Sequence, residues 1–194
     1  MRQLAKTLER QEKILLSLSR FSYLSRSQIQ IIHEIPSERT AQRVMQQLSK
    51  YVSSFMDGEK IFYLNAEGRK YTGCEKICKK MTTSRHYIMR NDLYIAYNCP
   101  DDWKNEMRLL YKDVNVIADA LFESNGIRHI VEVDHTQKMQ ANKVKIEKYR
   151  KLLEYGVLKN IRLVWMTTTN YRKKKLLEMM GDIQGQVFTI SDFH

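Results

Sequence analysis

The chain has 194 residues, 43% of them hydrophobic, with 7 Gly, 2 Pro and a formal net charge of +11; it can bury a core and is not a disordered basic tail. No run approaches the roughly 20 apolar residues of a spanning helix, and the opening MRQLAKTLERQEK lacks the apolar core and cleavage site of a signal peptide, so no membrane partner and a cytoplasmic location are expected. The basic excess favours a polyanionic partner, nucleic acid first, because Lys and Arg displace counterions condensed on phosphates. The length suits one moderate domain or two small ones, and two are expected.

Between Arg10 and Phe21, the residues Ile14, Leu15, Leu18 and Phe21 recur at steps of three and four, which predicts an amphipathic helix. Ser27 followed by Gln30 has capping-box spacing and opens a shorter helix, QIQIIHEI, with Ile29 and Ile32 for its inner face. Pro36 interrupts the chain, and Ser37 is a natural N-cap for SERTAQRVMQQLSKY, whose inward stripe is Ala41, Val44, Leu48 and Tyr51. YVSSFM and EKIFYL then read as strands joined by Asp57-Gly58, a dipeptide suited to a two-residue hairpin turn. Three helices followed by a hairpin is the winged helix-turn-helix plan, in which the last helix enters the major groove and the hairpin touches the neighbouring backbone.

The outer face of the third helix fits that task. Arg39, Gln42, Arg43, Gln46 and Gln47 lie opposite the apolar stripe; Arg can read guanine, Gln can read adenine, and either can contact phosphate. Lys60 can reach phosphate from the hairpin. The competing reading is a winged helix used for protein contacts, with these residues a solvated face. AEGRKYTGCEKICKK is expected to close the domain and link it onward, Gly68 and Gly73 breaking any long helix. Cys74, Cys78 and Cys99 make an odd set without zinc-finger partners, so free thiols are expected.

SRHYIMRNDLYIAYN predicts a helix starting after Ser84. From Glu106 onward come strands MRLLYK, VIADALFE and IRHIVEVDHT, the last two joined at Ser124-Asn125-Gly126. The helix KMQANKVKIEKYRKLLEYG, the strand IRLVWMT, the helix YRKKKLLEMMG and the strand QVFTIS follow, an α/β order. Asp119 sits inside an apolar strand, and Glu132 and Asp134, two apart on the next, share a face. Such carboxylates can hold magnesium or manganese, which polarises phosphate and generates hydroxide; alternatively they are edge residues or pair with nearby bases. Residues 136–175 carry 12 Lys and Arg against Glu147 and Glu154, a candidate phosphate-facing surface that includes Lys138 and Lys143, although Arg172, Lys173, Lys174 and Lys175 are spread around a helix and mostly expected to face water. His129 and His135 receive no catalytic role; Trp103, Trp165, Tyr111 and Phe122 are read as core or rim packing.

The run IADALFE, a hairpin, HIVEVDHTQ and a helix containing EKY resembles the replication-relaxation proteins of bacterial plasmids and integrative elements. The resemblance covers most of the chain and rests on Asp119 within its strand and on EVD-x-T, here Glu132, Val133, Asp134 and Thr136. It implies an α+β winged helix-turn-helix domain over 1–80, followed by an α/β restriction-endonuclease-like domain of the PD-(D/E)XK type with a mixed sheet over 81–194. It also implies Asp119 and Glu132 as the metal-holding acids, with magnesium or manganese as the cofactor if any binds. Where that superfamily carries its lysine this chain has Asp134, which supplies neither positive charge nor proton donors; a lysine borrowed from the next helix is the remedy, Lys145 (four before Tyr149) or else Lys138, Lys143 or Lys148.

The reading that follows is a double-stranded-DNA-binding protein of a bacterial mobile element, acting in plasmid replication, transfer or their control, with a degenerate nuclease-like module. The alternatives are a metal-dependent DNA endonuclease using Asp119, Glu132, Asp134 or Glu106, and Lys145, and a winged-helix transcriptional regulator. Expected partners beyond DNA are a second copy of the chain, from the habits of helix-turn-helix proteins, and replication or transfer proteins.

Overall fold

The computed structural model describes residues 2–81 and 83–193. The chain divides into two compact units between Asn91 and Asp92. It is an α+β protein with a three-stranded antiparallel sheet in the first unit and a mixed five-stranded sheet in the second.

In the first unit, α1 (Arg2–Phe21) starts earlier than its apolar periodicity indicates. Ile14, Leu15, Leu18 and Phe21 are buried, and the helix stops at Ser22, which takes φ 72°. A two-residue strand that the sequence does not announce, β1 (Leu24–Ser25), leads into α2 (Arg26–Ile32). The cap of α2 is Ser25, not the expected Ser27: its side chain accepts the Gln28 backbone N–H while the Gln28 side chain returns to the Ser25 N–H. Ser27, inside the first turn, instead gives its N–H and hydroxyl to the Glu59 carboxylate at 3.0 and 2.7 Å. Of the two isoleucines expected to face the core, Ile29 is fully buried and Ile32 only partly.

Ser37 caps α3 (Glu38–Gln47) as expected. Its buried stripe is Ala41, Val44, Met45 and, just past the end, Leu48. The hairpin β2 (Val52–Asp57) and β3 (Glu59–Leu64) pairs from Val52↔Leu64 to Asp57↔Glu59, with β1 on the other side of β3. Gly58 alone forms the tip, at φ 75°, a tighter turn than the two-residue one expected. The segment read as a linker instead opens with a helix, α4 (Ala66–Thr72), capped by Asn65 and ended at Gly73. Gly68 does not break it; a Cβ there would stand 2.1 Å from the Tyr51 carbonyl oxygen, so glycine is what lets this helix seat against the turn that leads into β2. Cys74 and Cys78 follow outside any helix, and all three cysteines are free thiols.

The unit boundary falls within α5 (Ser84–Ala96). In the second unit the sheet order is β4 (Lys104–Tyr111), β5 (Val114–Ser124), β6 (Ile127–Asp134), β7 (Ile161–Thr167), β8 (Gly185–Thr189). The first three strands form the expected antiparallel meander, and β6, β7 and β8 run parallel through α6 (Met139–Glu154) and α7 (Asn170–Met180). Ile146, Tyr149, Leu152 and Leu176 of these helices bury against Ile130, Leu163 and Trp165 of the sheet, each large apolar side chain contributing about 1.5–3 kcal/mol. Elsewhere in the unit Phe122 stacks between His129 and Trp103, with ring centroids 4.5 and 5.3 Å away, and Tyr94 meets Trp103 edge-on. Tyr111, expected to pack, is 40% exposed.

Strand β5 changes phase at Asp119. Val114, Val116 and Ala118 lie in the core beneath α6, and so does Leu121, three residues after Ala118 rather than two or four. Glu106, opposite Asp119 on β4 (Asn105 pairs with Ala120, Met107 with Ala118), has φ 54°. The pairs on either side keep one register, so neither strand gains a residue; Glu106 and Asp119 leave the ladder together, one from each strand.

Candidate functional site

Two places bring the sequence-selected residues together, one in each unit. On α3, the buried stripe leaves Arg39, Gln42, Arg43 and Gln46 exposed at steps of three and four, one outer face of the helix. Gln47 does not join them: its side chain accepts a hydrogen bond from Gln11 of α1 at 3.0 Å. Lys60 is exposed on β3, and with Gln42, Gln46 and Arg26 it borders a groove between α3 and the hairpin, floored by Met45 and Phe62. The hairpin is held at its tip by a contact that has no local sequence signal. Arg85, near the start of α5, forks onto Asp57, with Nε 2.8 Å and Nη2 2.9 Å from the two carboxylate oxygens, and Nη2 also donates to the Asp57 carbonyl. Asp57 and Glu59, the two acids of the tip, are therefore both engaged, by Arg85 and by Ser27, which leaves Lys60 as the outward charge.

In the second unit, Asp119, Glu132, Lys145 and Tyr149 meet. Glu132 is fully buried, and each of its oxygens already accepts a donor: Oε2 from the Lys145 ammonium, Oε1 from the Tyr149 hydroxyl. The four-residue spacing on α6 places both donors over the same carboxylate. Burial, and next the Asp119 charge, push the Glu132 carboxyl well above its ordinary value; Lys145 and Tyr149 act in the opposite sense without cancelling this. The Tyr149 phenol is likewise pushed well up, by burial and then by Glu132. Asp119 accepts the Val133 backbone N–H at 2.8 Å, just past the last ladder pair, Ala120↔Val131. It thus supplies a hydrogen bond that the parted strands no longer make.

Asp134 points into a different set of partners. It is fully buried and held by Arg172 (Nε at 2.6 Å, with Nη2 on the other oxygen) and by the Thr167 hydroxyl at 2.7 Å. Burial would raise its carboxyl, but the Arg172, Asn142 and Thr167 bonds outweigh burial and hold it below the ordinary value. Arg172 also donates to the Gln137 carbonyl at 2.7 Å, so the expectation that it faces water is corrected: it is a bidentate partner across 38 residues of sequence. Lys138, at the N-cap of α6, and Lys143 are exposed. Lys148 donates to the Asn115 carbonyl, Arg150 pairs with Asp182, Lys151 with Asp113, Lys173 with Asp192 and Lys175 with Glu178.

As arranged, these carboxylates do not fit a divalent ion, which takes about six oxygen ligands. A cation, Lys145, already sits on Glu132, one Asp119 oxygen serves a backbone N–H, and among the described residues no group of three or more His, Cys, Asp or Glu is placed to hold a metal. No helix among them is long and apolar enough to cross a membrane.

A family profile described as replication-relaxation matches residues 15–163. No curated protein matches the chain. Among solved structures the chain is similar to the crystal structure of protein VC1899 from Vibrio cholerae, at 12% identity and a TM-score of 0.42, over 99% of this chain and 50% of that one, so this chain spans about half of its length.

Proposed function

The chain belongs to the replication-relaxation family, and on that premise we propose that it is a cytoplasmic protein that binds double-stranded DNA in the replication, transfer or control of a bacterial plasmid or mobile element. The observation that carries this reading is the outer face of α3, where Arg39, Gln42, Arg43 and Gln46 stand exposed on one helix with Lys60 of the hairpin beside them. Three helices and an anchored hairpin in this order support a winged helix-turn-helix in the first unit, with α3 entering the major groove. The second unit is assigned as a PD-(D/E)XK-like module that does not cleave, since its two acids are already satisfied by protein donors and Asp134 stands where a lysine is needed. In a gel-shift titration with plasmid-derived duplex fragments, Arg39→Ala with Arg43→Ala should weaken binding by about 10-fold or more, a bidentate base contact being worth roughly 1–3 kcal/mol. Binding equal to that of the unaltered chain would refute the placement of α3.

One observation favours a second reading, a metal-dependent DNA endonuclease. The lysine missing after Glu132 is supplied in space by Lys145, which lies on the carboxylate of Glu132 beside Asp119. Under that reading Lys145 would have to give up the carboxylate before an ion could take it.

A further inference from the structure

The first unit carries a cationic groove that the α3 reading face does not include. Lys6, Arg10 and Lys13 recur at steps of four and three on α1, on a face separate from the buried Ile14, Leu15, Leu18 and Phe21. Lys6, Arg10 and Gln11 form one wall of a groove whose other wall is Thr40, Arg43 and Gln47 of α3. The Gln11–Gln47 hydrogen bond spans the two helices and fixes their spacing. Lys13 is paired with Glu9 at 2.7 Å; Lys6, Arg10 and Arg43 are exposed.

We propose that this groove between α1 and α3 seats one phosphodiester strand of duplex DNA, with Lys6 and Arg10 as its contacts from α1 and Arg43 as the contact shared with the reading face. The inference rests on the assignment of α3 to the major groove and adds a backbone strand beside it. Three cations facing one opening repel each other in the free protein, and a polyanion relieves that repulsion while releasing its own counterions. Threonine and glutamine between them offer neutral donors of the kind that contact phosphate oxygens without reading bases. The positive field is felt nearby: the imidazole of His33, at the end of α2, is pushed down to about 4 by burial first and then by Lys13 and Arg10.

The test is fluorescence anisotropy of the full chain on a labelled duplex over a salt series. Lys6→Ala with Arg10→Ala should lower affinity about 10-fold near 100 mM salt and reduce the slope of log affinity against log salt by about two, since each phosphate contact contributes about 0.9 to that slope. The control is Lys70→Ala with Lys79→Ala, which removes the same charge from exposed positions outside the groove and should leave the slope in place. An unchanged slope in the Lys6, Arg10 variant overturns the inference, and so does an equal loss in the control, which would make net charge the cause. If the unaltered chain fails to bind duplex at low salt, the DNA-binding reading itself falls; this outcome is distinct from a variant that binds like the parent.

Discussion

Glu132 and Asp134 show how little a residue type says without its neighbours. They are two apart on one strand and both fully buried, yet their carboxyls shift in opposite directions. Glu132 is raised, by burial and then by Asp119. The folded chain holds that proton more tightly than the unfolded one, so its contribution to stability is fully present below the ordinary carboxylate value and is lost as pH rises through the raised one. Asp134 is lowered, because Arg172, Asn142 and Thr167 outweigh burial; its contribution is present above the ordinary value and is lost as pH falls through the lowered one. Urea midpoints measured across pH separate the two. Glu132→Gln should gain on the unaltered chain progressively as pH rises above the ordinary carboxylate range. Asp134→Asn should lose about 3–5 kcal/mol at neutral pH, the cost of breaking a buried pair, and should lose less additional stability in acid. A Glu132→Gln curve parallel to that of the unaltered chain would show that Glu132 does not titrate as its surroundings require.

Elements are set by short-range chemistry more than by periodicity. The capping box of α2 starts two residues earlier than the Ser27–Gln30 spacing suggests, because Ser25 closes it with Gln28, while Ser27 is claimed by Glu59 from the hairpin 32 residues away. Two serines with the same local chemistry thus hold different things. Ser25→Ala should cost about 1 kcal/mol through the lost cap and, because its hydroxyl reaches Glu59 only through that of Ser27, 2.9 Å away, should couple to Glu59→Gln more weakly than Ser27→Ala does in a double-mutant cycle of unfolding free energies. The reverse pattern would restore Ser27 as the cap. Gly68 teaches the same lesson: its position in AEGRKYTG suggests a break, but a close approach to the Tyr51 carbonyl makes it the residue that admits α4.

At the scale of the molecule, charge that looks concentrated in sequence is largely paired in space. Of the basic residues of 136–175, Lys145, Arg150, Lys151, Arg172, Lys173 and Lys175 each find an acid, every one from outside that stretch, which narrows the candidate phosphate surface there to side chains such as the exposed Lys138 and Lys143. The acid cluster is likewise engaged rather than open, and this leads to the assay that decides between the two functional readings. Supercoiled plasmid incubated with magnesium or manganese should remain unnicked at protein concentrations that retard it on a gel. Nicking that disappears in Asp119→Ala with Glu132→Ala would make the chain a nuclease with a relocated lysine.

The sequence by itself determined the helices and strands whose apolar residues repeat at three, four or two, the cap at Ser37, the outer face of α3, and the meeting of Lys145 with Tyr149, because each follows from spacing along one element. Only the tertiary structure decided where Ser27, Arg85 and Arg172 point, which cations of α6 and α7 are spent on acids, and that Asp119 completes a backbone hydrogen bond where the ladder is interrupted. Most of those outcomes depend on partners 13 to 38 residues away, and a buried polar group takes whichever partner the packed chain brings within reach, since leaving it unpaired costs more than any local preference supplies.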